Sequence, residues 1–406
     1  MPQSNATRKL RPLLGYLVAQ LAFGLVAMTI CIPSMQRWGA IFDASQSSVQ
    51  LTFSGFVVAY GSLQLLYGPL SDRLGRRRIL LVGLVLAAAG SVFAALATTL
   101  PLLTAARVLQ GAGAAAGMVV GRAMVQDLFE GSQRTRVMAY IGMAMGLCPP
   151  LATIVGGQIH VQLGWQANFV LVAIAAVMLF AAGWRCLPRE VPPAAEPGNW
   201  LRALLDSYAR LAREPSFPFF VVMLGMSTAT FYAFLAGAPI VLGSYGVGPE
   251  GVGFYIMCIP ASYIVGNFLA SRLARRVGER RLMVAGQILT LLGLAVMLAL
   301  GFAQVNTAPA LAVPLMVLGL GHGILVPPML AGTVGLVPAL AGSAAAVAGL
   351  MQQMMGALSG YVVGLVEHEG AVNLGLVMLA FAGTGAIALT LLLARQGRGR
   401  RGALPR

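Results

Sequence analysis

One charge stands where charges are expensive. Arg107 lies inside the apolar run 102–125 with no acidic residue within a helical turn, and Gln110 shares its face three residues on. A guanidinium in the hydrocarbon core costs about 2.5 to 3.5 kcal/mol on insertion scales, so such a residue faces a water-filled cavity or a partner and carries function. His322 is alone in a second apolar run. An imidazole changes charge near neutral pH and can carry a proton, although a lone buried histidine also serves as a packing residue. The twelve acids stand elsewhere, in loops or at helix ends, and lack a catalytic pairing. The four cysteines form no CxxC and no pairing with histidine, which argues against a metal site or a disulfide framework. No phosphate-binding loop of the Walker type occurs, so ATP hydrolysis is not expected. Neither a metal nor a cofactor is expected, and the chain does not read as an enzyme.

The elements that hold these residues are spans of a lipid bilayer. Of 406 residues 58% are apolar and 10% charged, against roughly 25% charged in a soluble domain. Apolar windows of about 20 residues, enough to cross the hydrocarbon core, run 12–32, 48–70, 79–99, 102–125, 137–160, 167–186, 217–241, 252–271, 282–302, 310–330, 343–365 and 372–394. The first is too long for a removable signal and is expected to be retained. All but three of the 27 Lys and Arg residues fall on one side of that path; the exceptions are Arg37, Arg107 and Arg122. By the positive-inside rule both termini are expected to be cytoplasmic. The net charge of +15 is then a topology signal, and nucleic acid is not expected as a partner.

The polar, proline-bearing stretch 187–216, with an amphipathic run from Trp200 to Leu211, divides the chain. The expected domains are a six-helix bundle over 1–186, a cytoplasmic linker over 187–216, a second six-helix bundle over 217–395 and a basic tail over 396–406. The heptad Ser71-Asp72-Arg73-Leu74-Gly75-Arg76-Arg77 aligns with Ala270-Ser271-Arg272-Leu273-Ala274-Arg275-Arg276 at the same place in the other half. Two parallel six-helix repeats are one way secondary transporters are built.

Several motifs carry a resemblance. Gly68 to Arg78 (GPLSDRLGRRR) resembles the signature between helices 2 and 3 of the major facilitator superfamily, and Arg107 to Gly113 (RVLQGAG) resembles that of its proton-driven members. Gly142, Gly146 and the run Pro149, Pro150 to Gly156, Gly157 are similar to the antiporter signature of exporters. RAMVQDLF (122–129), with the glycines and prolines of 321–352, looks like the bicyclomycin and chloramphenicol resistance subfamily of drug:proton antiporters. The implied fold is all-α, polytopic and major-facilitator, with twelve transmembrane helices in two bundles. The implied activity is export by alternating access, driven by protons, from a bacterial inner membrane by a monomer. By resemblance, Gly68, Asp72, Arg73, Gly75, Arg76, Arg77 and Asp127 form a gating motif, in which Asp72, Asp127 and Arg76 or Arg77 make a charge latch. Arg107 and Gln110 would then serve proton coupling.

A departure matters as much as the matches. Where that subfamily carries an acid and a tyrosine in its first helix, this chain has Thr29 and Cys31. With no mid-span carboxylate the pocket is expected to suit neutral or anionic drugs such as phenicols over cations, and His322 becomes the candidate proton carrier. Tyr60, Gln64, Phe231, Phe234, Tyr263, Asn267 and Gln352, with Thr29 and Cys31, are candidates for the substrate cavity; their polar members could equally bond helix to helix. The rival readings are a metabolite exporter or an uncoupled facilitator, and, from another class, a membrane-embedded enzyme or receptor.

Overall fold

The computed structural model describes residues 3–128, 131–188, 200–337 and 340–402, and all the regular structure among them is helical. The helices are α1 (Gln3–Thr29), α2 (Met35–Ile41), α3 (Gln46–Leu74), α4 (Arg76–Ala95), α5 (Leu100–Leu128), α6 (Gly131–Leu163), α7 (Gln166–Cys186), α8 (Trp200–Arg213), α9 (Phe217–Ser244), α10 (Pro249–Ile256), α11 (Cys258–Val277), α12 (Glu279–Phe302), α13 (Ala308–Gly335), α14 (Ala341–Gly364) and α15 (Ala371–Gly402). Ten membrane-length apolar spans lie among the described residues, and the long helices α6 and α14 complete the twelve.

Two of the expected windows are broken helices, each for the same reason. Proline lacks the N–H that would bond the carbonyl four residues back, and its ring clashes with that carbonyl. Pro33 thus ends α1 at Thr29, after which a short 3-10 turn (Ile32–Ser34) leads into α2, so the first span reaches Ile41 and not residue 32. Pro260 likewise separates α10 from α11 at Met257. Pro149 and Pro150, by contrast, sit inside a continuous α6. The segment expected as a linker contains α8, and α15 continues to Gly402, into the segment expected as a tail.

The chain forms two compact units, Met1–Pro197 with Val247–Phe254, and Gly198–Gly246 with Tyr255–Arg406. In the first, α5 packs on α3 and α4, α4 on α7, and α1 on α5 and α6. In the second, α13 packs on α11 and α12, α12 on α15, and α9 on α14 and α15. Small residues let these backbones touch, as in lipid, where close packing substitutes for the hydrophobic effect. A Cβ on Gly113 of α5 would collide with the backbone of Ala87 and Gly83 on α4; one on Gly323 of α13 would collide with the Tyr263 carbonyl on α11.

The internal repeat is real but its register differs from the expected alignment. Gly75 (φ 94°) joins α3 to α4, and Gly278 (φ 83°) joins α11 to α12. Both turns need a positive φ that glycine adopts without strain. Gly75 therefore corresponds to Gly278, one helical turn beyond the Ala274 that matching the arginines selects. Arg77 and Arg78 then correspond to Arg280 and Arg281.

Candidate functional site

The break in α1 creates the site in the first unit. A helix end leaves carbonyls without intrahelical partners and carries the negative end of the helix dipole. Arg107, on α5 and with none of its surface exposed, is aimed at that end. Its Nη1 donates to the Ala27 carbonyl at 2.7 Å, and its Nη2 to the Met28 carbonyl at 3.1 Å. The guanidinium lies over the Phe56 ring, 4.3 Å from its centroid, and 5.9 Å from that of Phe169. Nη1 also donates to Gln110 Oε1, while Gln110 Nε2 donates to Ser91 Oγ at 2.8 Å and Ser91 Oγ to the Ala87 carbonyl at 2.7 Å. A polar relay thus runs from α1 through α5 to α4. The buried cation is balanced by backbone dipoles and a ring face, and among the described residues no carboxylate pairs with it.

Thr29, where an acid is expected, is fully buried and its hydroxyl donates to the Leu25 carbonyl at 2.8 Å, with the Pro149 carbonyl at 3.4 Å. Thr153 of α6 donates to the same Pro149 carbonyl within its own helix at 2.8 Å, so the contact from α1 to α6 at that oxygen is made by Thr29. Gly156 presses on the Ile30 carbonyl, where a Cβ would lie far inside contact distance, and Gly157 presses in the same way on Pro249. Gly142 and Gly146 belong to a stretch of α6 whose side-chain surroundings lie outside the described residues. Cys31 and Tyr60 are buried in the same unit, with Tyr60 stacked on Phe56 at 5.9 Å between centroids. The Gln64 amide nitrogen is buried without a partner among the described residues.

The residues expected to form the gating motif gather at the α3–α4 turn and the end of α5. Arg76 pairs with both Asp72 and Asp127, each at 2.7 Å. Of the two arginines open to that role, Arg77 goes elsewhere: its Nη2 donates to the Trp184 carbonyl at 2.6 Å, and its guanidinium lies 5.1 Å from the centroid of that ring. Gly68 faces Val119 of α5, and Arg73 is exposed.

In the second unit one of the expected cavity residues, Gln352, bonds one helix to another. Gln352 Nε2 donates to Thr228 Oγ1 at 3.0 Å, and the Tyr232 hydroxyl donates to Gln353 Oε1 at 3.2 Å, which ties α9 to α14. Tyr263 and Asn267 share a hydrogen bond along α11. Phe231 and Phe234 lie 6.5 Å apart between centroids, with Phe234 buried. His322 is buried on α13, 4% exposed. The structure brings together Arg107, Gln110, Thr29 and Cys31; His322 is in the other unit. Sequence reasoning missed Ser91, Phe56 and Phe169, and a second polar knot: Asn168 Nδ2 donates to Ser34 Oγ at 3.2 Å and to the Gly156 carbonyl at 3.1 Å, and His160 Nδ1 lies 3.0 Å from Ser34 Oγ. Ser91 and Asn168 are polar residues in apolar windows, which is the signal that would have found them.

Twice six spans, with a buried charge held where a helix is broken, define the architecture of a polytopic secondary transporter. The superfamily model described as Major Facilitator Superfamily matches residues 13–360. A protein named multidrug resistance protein D, from Escherichia coli (strain K12), is 31% identical over 370 residues, 90% of this chain and 92% of that one. A chloramphenicol resistance protein from Pseudomonas aeruginosa is 26% identical over 277 residues, 68% of this chain and 65% of that one. A crystal structure of a peptide transporter in complex with alafosfalin superposes with a TM-score of 0.76 at 15% identity, covering 95% of this chain and 94% of that one. The chain belongs to the major facilitator superfamily, and the relatives bear out the resemblance to its drug-resistance antiporters. It is a multi-pass membrane protein.

Proposed function

We propose that the protein exports drugs from the bacterial cytoplasm across the inner membrane by alternating access, as a monomer with both termini cytoplasmic, driven by proton entry and without chemistry of its own. The observation that carries this reading is Arg107: a fully buried cation, held by the open end of a broken helix, in the span whose motif marks proton-driven members. A charge clamped by carbonyls can be released when those carbonyls move, which links rearrangement of α1 to the charge state of the site. Asp72, Arg76 and Asp127 would latch the same conformational cycle from the arginine-rich side, and His322 would carry the proton. Thr29 in place of an acid favours neutral or anionic substrates such as phenicols, because no described carboxylate lies mid-span to attract a cation.

The same substitution favours one other reading, a metabolite exporter or facilitator with atypical or no coupling. Cells overproducing the protein, loaded with a panel of phenicols and cationic dyes, decide between them. Phenicol efflux that an uncoupler abolishes, and that His322→Gln reduces, is expected. Efflux that ignores the uncoupler selects the uncoupled facilitator, and efficient efflux of cations alone refutes the substrate class.

A further inference from the structure

Each unit carries an apolar hollow edged by arginine on its outer helices, α4 and α7 in the first and α12 and α15 in the second. In the second unit Arg280 and Arg281 line a hollow of about 430 Å³ between α12 and α15, floored by Val284, Ala285, Ile288 and Leu393. In the first unit a hollow of about 330 Å³ on α7 is lined by Phe180, Ala181, Trp184 and Arg185, with Arg77 of α4 lying over the Trp184 ring. Phe180 and Trp184 stack at 6.0 Å between centroids and form its wall. Arg185, Arg280 and Arg281 are exposed, and among the described residues none of the three makes an ion pair, not even with the adjoining Glu279.

Each groove therefore sets guanidinium beside an open apolar trough: Arg280 and Arg281 in the second unit and Arg185 in the first, where Arg77 is already bonded to the Trp184 carbonyl. A soluble anion would use the guanidiniums and leave the trough empty; an uncharged lipid would use the trough and leave the arginines unpaired. A ligand with a phosphodiester carrying net negative charge above acyl chains uses both. The guanidinium fork matches phosphate oxygens, and an amphipathic ring such as Trp184 belongs at the headgroup level. We propose that these are two binding sites for anionic phospholipid, one per bundle, which the proposed orientation assigns to the cytoplasmic leaflet. The binding itself does not depend on that orientation or on what is transported.

Native mass spectrometry of the full-length protein, released from micelles containing phosphatidylglycerol or phosphatidylcholine, tests this. Two phosphatidylglycerol molecules should be retained per chain and phosphatidylcholine none. Each arginine near a headgroup is worth about fivefold in affinity, so Arg280→Gln with Arg281→Gln should weaken one site about thirtyfold and drop the count to one. Arg185→Gln with Trp184→Ala should remove the other independently. Because these side chains are exposed, a loss of helicity by circular dichroism is not expected; two-site occupancy persisting in the folded variants would overturn the proposal. Equal retention of phosphatidylcholine would overturn it too, as would displacement of the lipid by millimolar glycerol phosphate.

Discussion

Replacing Arg107 should separate its structural from its electrical contribution. In Arg107→Met, the Ala27 and Met28 carbonyls and Gln110 Oε1 each lose a donor. Hydrogen bonds between membrane helices average about 0.6 and reach about 1.7 kcal/mol, so three bring a loss of about 2 to 5 kcal/mol. The lost contact with Phe56, at 4.3 Å, adds about 2 kcal/mol for a desolvated cation over a ring. Against this, methionine removes a charge whose burial costs about 2.5 to 3.5 kcal/mol. The net destabilisation is then about 0.5 to 4.5 kcal/mol, small enough for the variant to fold. Arg107→Lys keeps the burial cost but not the planar fork that spans two carbonyls, so it should be no more stable than the methionine variant, against the usual expectation for a conservative change. Reversible unfolding in mixed micelles gives the stabilities, and efflux driven by an imposed pH gradient gives the activity, which both variants should lose. A methionine variant matching the parent within about 0.5 kcal/mol and transporting normally would refute the clamp.

Other consequences follow from single contacts. Gly156→Ala should prevent accumulation of folded protein, because the added methyl collides with the Ile30 carbonyl, whereas Gly349→Ala, with nothing within 4 Å, should be neutral or slightly stabilising; expression followed by size-exclusion chromatography separates the two. Asp127→Asn breaks a 2.7 Å pair whose acid is 49% exposed, so its stability cost should stay below about 1 kcal/mol while the initial efflux rate changes; an unchanged rate would remove the latch. His368, between α14 and α15, donates from Nε2 to the Val363 carbonyl at 2.8 Å, and burial holds its pKa below the usual range. The unfolded chain therefore binds the proton more readily, and stability should fall as pH drops below about 6.5. Melting curves from pH 7.5 to 5.5 should show that slope, and it should flatten in His368→Gln.

Much of this is legible in the amino-acid sequence. The apolar windows located the spans because lipid leaves the chain little alternative to a helix about 20 residues long. Arg107 and Gln110 stood out because a charge in an apolar run has so few permissible environments. What holds Arg107 was not legible: its partners are backbone carbonyls, which every residue has, left open where α1 ends ahead of Pro33. The repeat register is hidden in the sequence for a related reason. Arginines dominate the alignment, while the turn is decided by which residue tolerates positive φ, and that is Gly278. Nor could spacing separate residues that bond helix to helix, such as Gln352, from residues that would line a cavity, since both are polar groups in apolar helices.

The most direct test is proton movement with the purified protein in vesicles. With a pH-sensitive dye trapped inside, adding a phenicol should start a proton flux through the parent protein that scales with drug and disappears in Arg107→Met. Phenicol crossing the membrane at full rate with no accompanying proton flux would contradict the account.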